Sequence, residues 1–236
     1  MNFIFIILTF LISAVIARIL IPRILLISLR KKLFDIPDDR KIHKRAIPRL
    51  GGVSFFPTTL FAFCLVYAFR LLDGNSISTL YASYLLPELL LFACGMTLLY
   101  LTGIADDLVG VRYRQKFAIQ IFCACLFPLS GLWINDLYGL FGIHELSAYV
   151  GIPFTVLTVV FITNAINLID GIDGLASGLS SVALLVFTFL FISKGLWSYA
   201  MLSAGTFGVL VPFFYYNVFG SVERCLLYTS PSPRDA

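Results

Sequence analysis

Residues 155–190 read TVLTVVFITNAINLIDGIDGLASGLSSVALLVFTFL, two apolar runs joined by a short segment that carries Asp170 and Asp173. Each run is greasy enough to enter a bilayer, so the acids fall at the junction of two membrane helices. Acidic side chains at such a place are costly and need a reason. An isolated Asp-Gly pair reads as an ordinary loop that caps the next helix. Here the acids recur three residues apart among three glycines and two amides (Asn164 and Asn167), and a second pair, Asp106-Asp107, closes another apolar run.

The rest of the chain agrees with a membrane assignment. Of 236 residues, 59% are hydrophobic and 13% charged, and the mean hydropathy is +0.94. Soluble globular proteins carry about 25% charged residues, which excludes that class. Four of the five cysteines, Cys64, Cys94, Cys123 and Cys125, lie inside apolar runs without a CxxC, so they read as small core residues rather than a disulfide framework. The first residues, MNFIFIILTF, lack the basic start and cleavage site of a secretory signal and read as a first membrane helix.

Crossing the hydrocarbon takes about 20 apolar residues. Seven runs qualify, near 3–27, 51–71, 86–105, 117–134, 149–168, 175–193 and 196–216. The fold expected is an all-α polytopic transmembrane bundle of about seven helices, with no soluble domain between them. The longest loop, 29–50, holds Arg30, Lys31, Lys32, Arg40, Lys41, Lys44, Arg45 and Arg49. The positive-inside rule makes it cytoplasmic and the N-terminus external. Alternating from that anchor puts Asp106–Lys116 and Asp170–Gly174 on the same cytoplasmic face, with Arg112, Arg114 and Lys116 beside the first acid pair.

Four carboxylates gathered without partners would repel and force some to protonate. A hard divalent cation removes that conflict, because Mg2+ takes one or two carboxylates together with substrate phosphates and water. His43, Lys44, Arg45 and Arg49 precede Gly51-Gly52 and suit phosphate oxygens, with the glycines allowing close backbone approach. Lipid headgroup binding is the plainer reading of the basic loop taken alone. A helix C-terminus is the plainer reading of Asp106-Asp107, although acids there oppose the helix dipole. A transporter would also place acids in a bundle, but near its midplane rather than at helix ends beside glycines and basic loops.

Three stretches, IHKRAIPRLGG at 42–52, GIADDLVGVRYRQKFAIQ at 103–120 and NAINLIDGIDGLASG at 164–178, resemble successive cytoplasmic motifs of the polyprenyl-phosphate N-acetylhexosamine-1-phosphate transferases, in the family's order. The DDxxG form and IPRLGG are more similar to the undecaprenyl-phosphate GlcNAc-1-phosphate branch. The UDP-MurNAc-pentapeptide branch, the alternative, usually shows DDxxK and TPTMGG.

The resemblance implies transfer of a sugar 1-phosphate from a UDP-N-acetylhexosamine to undecaprenyl phosphate, releasing UMP, at the bacterial inner membrane. It implies Mg2+ as cofactor, with Mn2+ as the alternative. Asp106, Asp107, Asp170 and Asp173 are then the catalytic candidates, Asp106 as base toward the lipid phosphate and Asp173 toward the uridine. Asp107 and Asp170 are the metal candidates, and His43, Lys44, Arg45, Lys116, Asn164 and Asn167 the substrate-binding ones. The bilayer is the expected surroundings, no nucleic-acid partner is expected, and a homodimer is left open.

The resemblance covers 1–224. Beyond FFYYNVFGSVER the family continues into an FMGDxGS-like motif with a further metal ligand, whereas this sequence ends in CLLYTSPSPRDA. Cys225–Ala236 resembles a translated sequencing-library adaptor. The expectation is therefore a transmembrane catalytic segment over 1–224, truncated and inactive as the 236-residue product, with 225–236 foreign to it.

Overall fold

A computed structural model describes residues 2–30, 34–35, 47–48, 51–72, 76–170 and 174–219. Among these, seven α-helices follow in order: α1 (Asn2–Arg30), α2 (Phe55–Leu72), α3 (Ser76–Val109), α4 (Tyr113–Leu129), α5 (Ala148–Ile169), α6 (Leu175–Ser193) and α7 (Trp197–Phe219). Two-residue strands β1 (Phe34–Asp35) and β2 (Ile47–Pro48) pair antiparallel after α1, with Phe34 opposite Pro48 and Asp35 opposite Ile47. Six helices are long and apolar enough to cross a membrane, and the protein is membrane-embedded. α4, with 17 residues, is the shorter one. Large apolar side chains stay uncovered along the spans, among them Leu157, Phe161, Val182 and Phe189, as expected where lipid rather than water is the solvent.

The chain packs as two units, Met1–Arg70 with Asp170–Ala236, and Leu71–Ile169. In the first, α1 lies along α7. Thr9, Ser13, Ala17 and Ile21 recur at four-residue steps and are all at most 1% exposed, forming one ridge of a helix. Facing them, a Cβ on Gly205 would stand 3.0 Å from Thr9 Cγ2, and one on Gly208 would overlap Ser13 Oγ and lie 2.5 Å from the Phe10 carbonyl oxygen. Lipid gives helices no hydrophobic reason to associate, so close approach over small residues supplies the attraction. Ala17, Ile21 and Val209 form the core, with Leu25, Phe55, Phe213 and Tyr216 packed on it.

Contacts at the helix ends fix their directions. Phe3 packs on Trp197 at 5.4 Å, Phe191 on Tyr199 at 5.6 Å, and Arg70 Nη1 donates to Ser198 Oγ at 3.1 Å. The starts of α1 and α7 thus share one end with the finishes of α2 and α6. At the other end Phe55 meets Phe213 at 4.6 Å, and Gly174 and Gly178 lie against Phe214. The start of α2, after the basic segment, therefore shares an end with the start of α6, after the acidic one.

In the second unit, α3 and α4 form an antiparallel hairpin. Phe92 meets Phe127 edge-on at 6.2 Å, and Cys123 Sγ donates to the Gly95 carbonyl at 3.5 Å. The link from α4 to α5 is pinned at its far end, where Ile134 N–H donates to Thr155 Oγ1 at 2.9 Å and a Cβ on Gly151 would stand 2.5 Å from Trp133. α4 and α5 are antiparallel, so the finish of α3, the start of α4 and the finish of α5 share one end.

Three expected boundaries move. The third helix starts at Ser76 rather than near 86, running through Pro87 across residues expected to form a loop. It also continues past 105 to take in Asp106 and Asp107. The fourth ends at Leu129 instead of 134 because Ser130 and Gly131, the latter at φ 92, turn the chain.

Candidate active site

The sequence ADDLVG stops α3 in a defined way. Gly110 adopts the left-handed conformation at φ 78 and its N–H donates to the Asp106 carbonyl at 3.0 Å, the single-bond αL cap that a glycine just past a helix provides. The following N–H, on Val111, donates to the Asp106 side chain instead, reaching Oδ1 at 3.0 Å. Arg112 is extended (φ −60, ψ 137) and starts α4 without a side-chain cap, its carbonyl accepting from the N–H groups of Gln115 and Lys116. Lys116 sits on the first turns of α4 and donates from Nζ to Asp106 Oδ2 at 2.8 Å.

Both oxygens of Asp106 are therefore held. The two side chains are 31% and 30% exposed, so the pair is worth about 1 kcal/mol, the upper part of the range for accessible pairs. Its electrostatic logic is local. The C-terminal end of α3 disfavours an anion and the N-terminal end of α4 disfavours a cation, and the pair offsets both. A plain helix terminus would require neither charge. Asp107, the next residue, is half-buried on the same last turn.

On α5, Asn164 Nδ2 donates to Gln120 Oε1 of α4 and to the Val160 carbonyl, both at 2.8 Å. Hydrogen bonds of this kind between membrane helices contribute about 0.6 kcal/mol on average and roughly 1.7 at most. Asn164, expected to bind substrate, thus has its amide nitrogen engaged within the protein. Asn167, one turn on, is exposed. Gln120 had no role in the sequence reading; an amide inside the apolar run 117–129 is the signal that would have found it.

Asp170 occupies the turn directly after α5. Its surface is accessible, yet the chain around it is close enough for burial to push its carboxyl above the usual carboxylate range. Gly174 follows at φ 77 as the N-cap of α6, and an added Cβ there would overlap Val218 of α7. A Cβ on Gly178 would stand 3.2 Å from Phe214. These two glycines serve helix packing.

Asp106, Asp107, Lys116, Asn164 and Asn167 belong to the second unit and Asp170 to the first. His43, Lys44, Arg45 and Asp173 lie outside the described residues. Among the described residues no three His, Cys, Asp or Glu side chains gather as a metal site. Asp107 and Asp170 are oxygen donors of the kind a hard divalent cation takes with phosphate and water, whereas Asp106 is occupied by Lys116.

Residues 89–222 match the family described as Glycosyl transferase family 4, a span that includes both acid-bearing segments. A probable undecaprenyl-phosphate N-acetylglucosaminyl 1-phosphate transferase of Bacillus subtilis is 29% identical over 213 residues, covering 90% of this chain and 55% of that protein. A phospho-N-acetylmuramoyl-pentapeptide-transferase of Staphylococcus carnosus is 29% identical over 228 residues, covering 90% and 65%. An undecaprenyl-phosphate alpha-N-acetylglucosaminyl 1-phosphate transferase of Escherichia coli is 29% identical over 180 residues, covering 73% and 44%. The chain spans about half of the length of these relatives, up to the 65% reached with the Staphylococcus protein. With more than half of its length matched to the family, this chain belongs to glycosyl transferase family 4.

Proposed function

We propose that the chain is the catalytic membrane segment of a transferase that moves GlcNAc 1-phosphate from UDP-GlcNAc to undecaprenyl phosphate and releases UMP. A lipid phosphate oxygen attacks the sugar-bearing phosphorus, the bond from that phosphorus to the bridging oxygen breaks, and UMP leaves with the electron pair. The observation that carries this reading is the carboxylate of Asp106, held at both oxygens by Val111 and Lys116 at a helix end, in a chain whose relatives are named for sugar-phosphate transfer.

The chemistry asks for alignment and charge neutralisation more than for a strong base. A phosphate monoester has its second pKa near about 6 and is largely ionised at neutral pH, and phosphoryl transfer is catalysed mainly by positioning and electrostatics. Asp106 takes the remaining proton and keeps the lipid phosphate oriented. Asp107 and Asp170 would each offer carboxylate oxygens to Mg2+, or to Mn2+ in its place, and that ion would supply the charge neutralisation the diphosphate needs. Asn167 and the basic residues His43, Lys44 and Arg45 meet phosphate and sugar oxygens, and Asp173 the uridine. The active-site loops face the cytosol in a bacterial inner membrane, with the N-terminus outside.

The relatives named for phospho-N-acetylmuramoyl-pentapeptide transfer favour the second reading, in which UDP-MurNAc-pentapeptide is the donor. Membranes expressing the complete genomic reading frame decide between them. UMP release from UDP-GlcNAc in the presence of undecaprenyl phosphate, with none from UDP-MurNAc-pentapeptide, is the expected outcome. The reverse preference would move the protein to the second reading.

A further inference from the structure

Gln120 is 6% exposed, an amide buried within the apolar run of α4. Its Oε1 accepts from Asn164 Nδ2 on α5, which also donates to Val160. Stability does not explain this pair. Hydrogen bonds between membrane helices stabilise little, because the unfolded chain in the membrane finds other partners, and an apolar side chain would fill the place without desolvating an amide. What a directional bond adds over apolar packing is register, since it holds only at one relative slide and rotation of the two helices. An apolar crevice borders Gln120, lined by Leu99, Cys123, Leu126, Val159 and Thr163, so on that side α4 and α5 lack a close-packed wall to set their register.

The register matters because of what lies one turn away. Lys116 precedes Gln120 by four residues and so shares its helix face, and Lys116 holds Asp106. Asn167 follows Asn164 by three residues on α5 and is exposed. The amide bridge thus ties the helix that orients Asp106 to the helix that carries Asn167.

We propose that Gln120 is a positioning residue: through its hydrogen bond to Asn164 it sets the register of the Lys116–Asp106 pair against the Asn167 end of α5. This deepens the transferase reading and rests on it. It also gives the amide nitrogen of Asn164, an exposed residue, a role inside the protein.

The test uses the product of the complete reading frame, purified in detergent. Gln120→Met keeps the volume and removes the acceptor, and Gln120→Glu keeps an acceptor at the same place. The expected result for Gln120→Met is a fall in kcat for UMP release on the order of ten- to a hundredfold. KM for UDP-GlcNAc stays unchanged, and Tm stays within about 4 °C, the shift of roughly one lost kcal/mol. Gln120→Glu recovers most of the rate, and Gln120→Met with Asn164→Leu is no slower than the slower single variant. Unchanged kcat in Gln120→Met, multiplied losses in the double variant, or a raised KM in Asn164→Leu would each overturn the proposal. Should Gln120→Met fail to accumulate, Asn164→Leu carries the same comparison.

Amide hydrogen exchange separates the two layers. If the wild-type protein releases no UMP, the transferase reading fails and exchange alone decides the brace. Faster exchange over 113–120 and 163–169 in Gln120→Met supports it, and unchanged exchange there overturns it.

Discussion

Replacing Lys116 by methionine removes a charge while keeping the stem of the side chain, and the two costs it incurs differ enough to be told apart. The lost contact is 2.8 Å long between side chains 31% and 30% exposed. At that exposure solvent screens the pair, and its contribution to stability is about 1 kcal/mol. For a domain of this size that lowers Tm by about 2–4 °C. The catalytic cost is larger. The Val111 N–H still holds Oδ1, but Oδ2 loses the cation that fixes it, and the carboxylate loses its alignment with the lipid phosphate. Misplacement of a reacting group by about 1 Å costs on the order of a hundredfold in rate, or about 2.7 kcal/mol of transition-state stabilisation. Lys116→Arg restores a cation and should recover much of the rate. The assay is UMP release by the purified product of the complete reading frame, paired with thermal unfolding in the same detergent. Lys116→Met with a rate near wild type, or with a Tm loss large enough to account for the missing activity, would refute the reasoning.

Other outcomes follow from single residues. The raised pKa of Asp170 means that the folded state holds its proton more tightly than the unfolded one. The associated stability is complete below the unfolded value of about 3.9 and is lost as pH rises through the folded one. Asp170→Asn should therefore raise Tm at pH 8 without divalent cations and leave it unchanged at acid pH, while abolishing UMP release; an equal or lower Tm at pH 8 would contradict this. Gly208→Ala places a methyl group against Ser13 and the Phe10 carbonyl and should destabilise the α1–α7 pair by about 1–3 kcal/mol, read as a lower Tm. Chelation of divalent cations should abolish UMP release and Mg2+ restore it, with Asp107→Asn needing more Mg2+ for half-maximal rate; an unchanged Mg2+ requirement in that variant would remove Asp107 from the metal site.

The helices were legible because their cause is local: a span needs only a long enough apolar run, and all seven runs became helices. Their ends depend on finer chemistry. Asp106 and Asp107 looked like residues beyond a helix, yet Gly110, four residues past Asp106, is the capping signal, and it draws the acids into the last turn of α3. Ser76–Leu85 looked polar enough to be a loop, but after Gly74 it holds no helix breaker until Pro87, and α3 runs through it. The pairing of Asp106 with Lys116 spans ten residues across a single tight turn, and the sequence already placed both residues there. The partnership of Gln120 with Asn164 spans 44 residues and depends on how α4 and α5 slide past each other, which no local pattern encodes. The glycines of the Asp170 segment carried the opposite ambiguity: one residue type serves both ligand approach and helix contact, and only the positions of Phe214 and Val218 assign Gly174 and Gly178 to the second.

The central claim is that phosphorus moves together with the sugar. Membranes carrying the complete reading frame would be given UDP-GlcNAc labelled separately in the sugar, in the β-phosphate and in the uridine. The account predicts that sugar and β-phosphate labels enter the lipid fraction in equal amounts, that uridine appears as UMP, and that Asp106→Asn loses all three changes. Sugar label in lipid with the β-phosphate left in UDP would mean ordinary glycosyl transfer, and intact UDP-GlcNAc trapped inside vesicles would mean transport; either result would contradict the account.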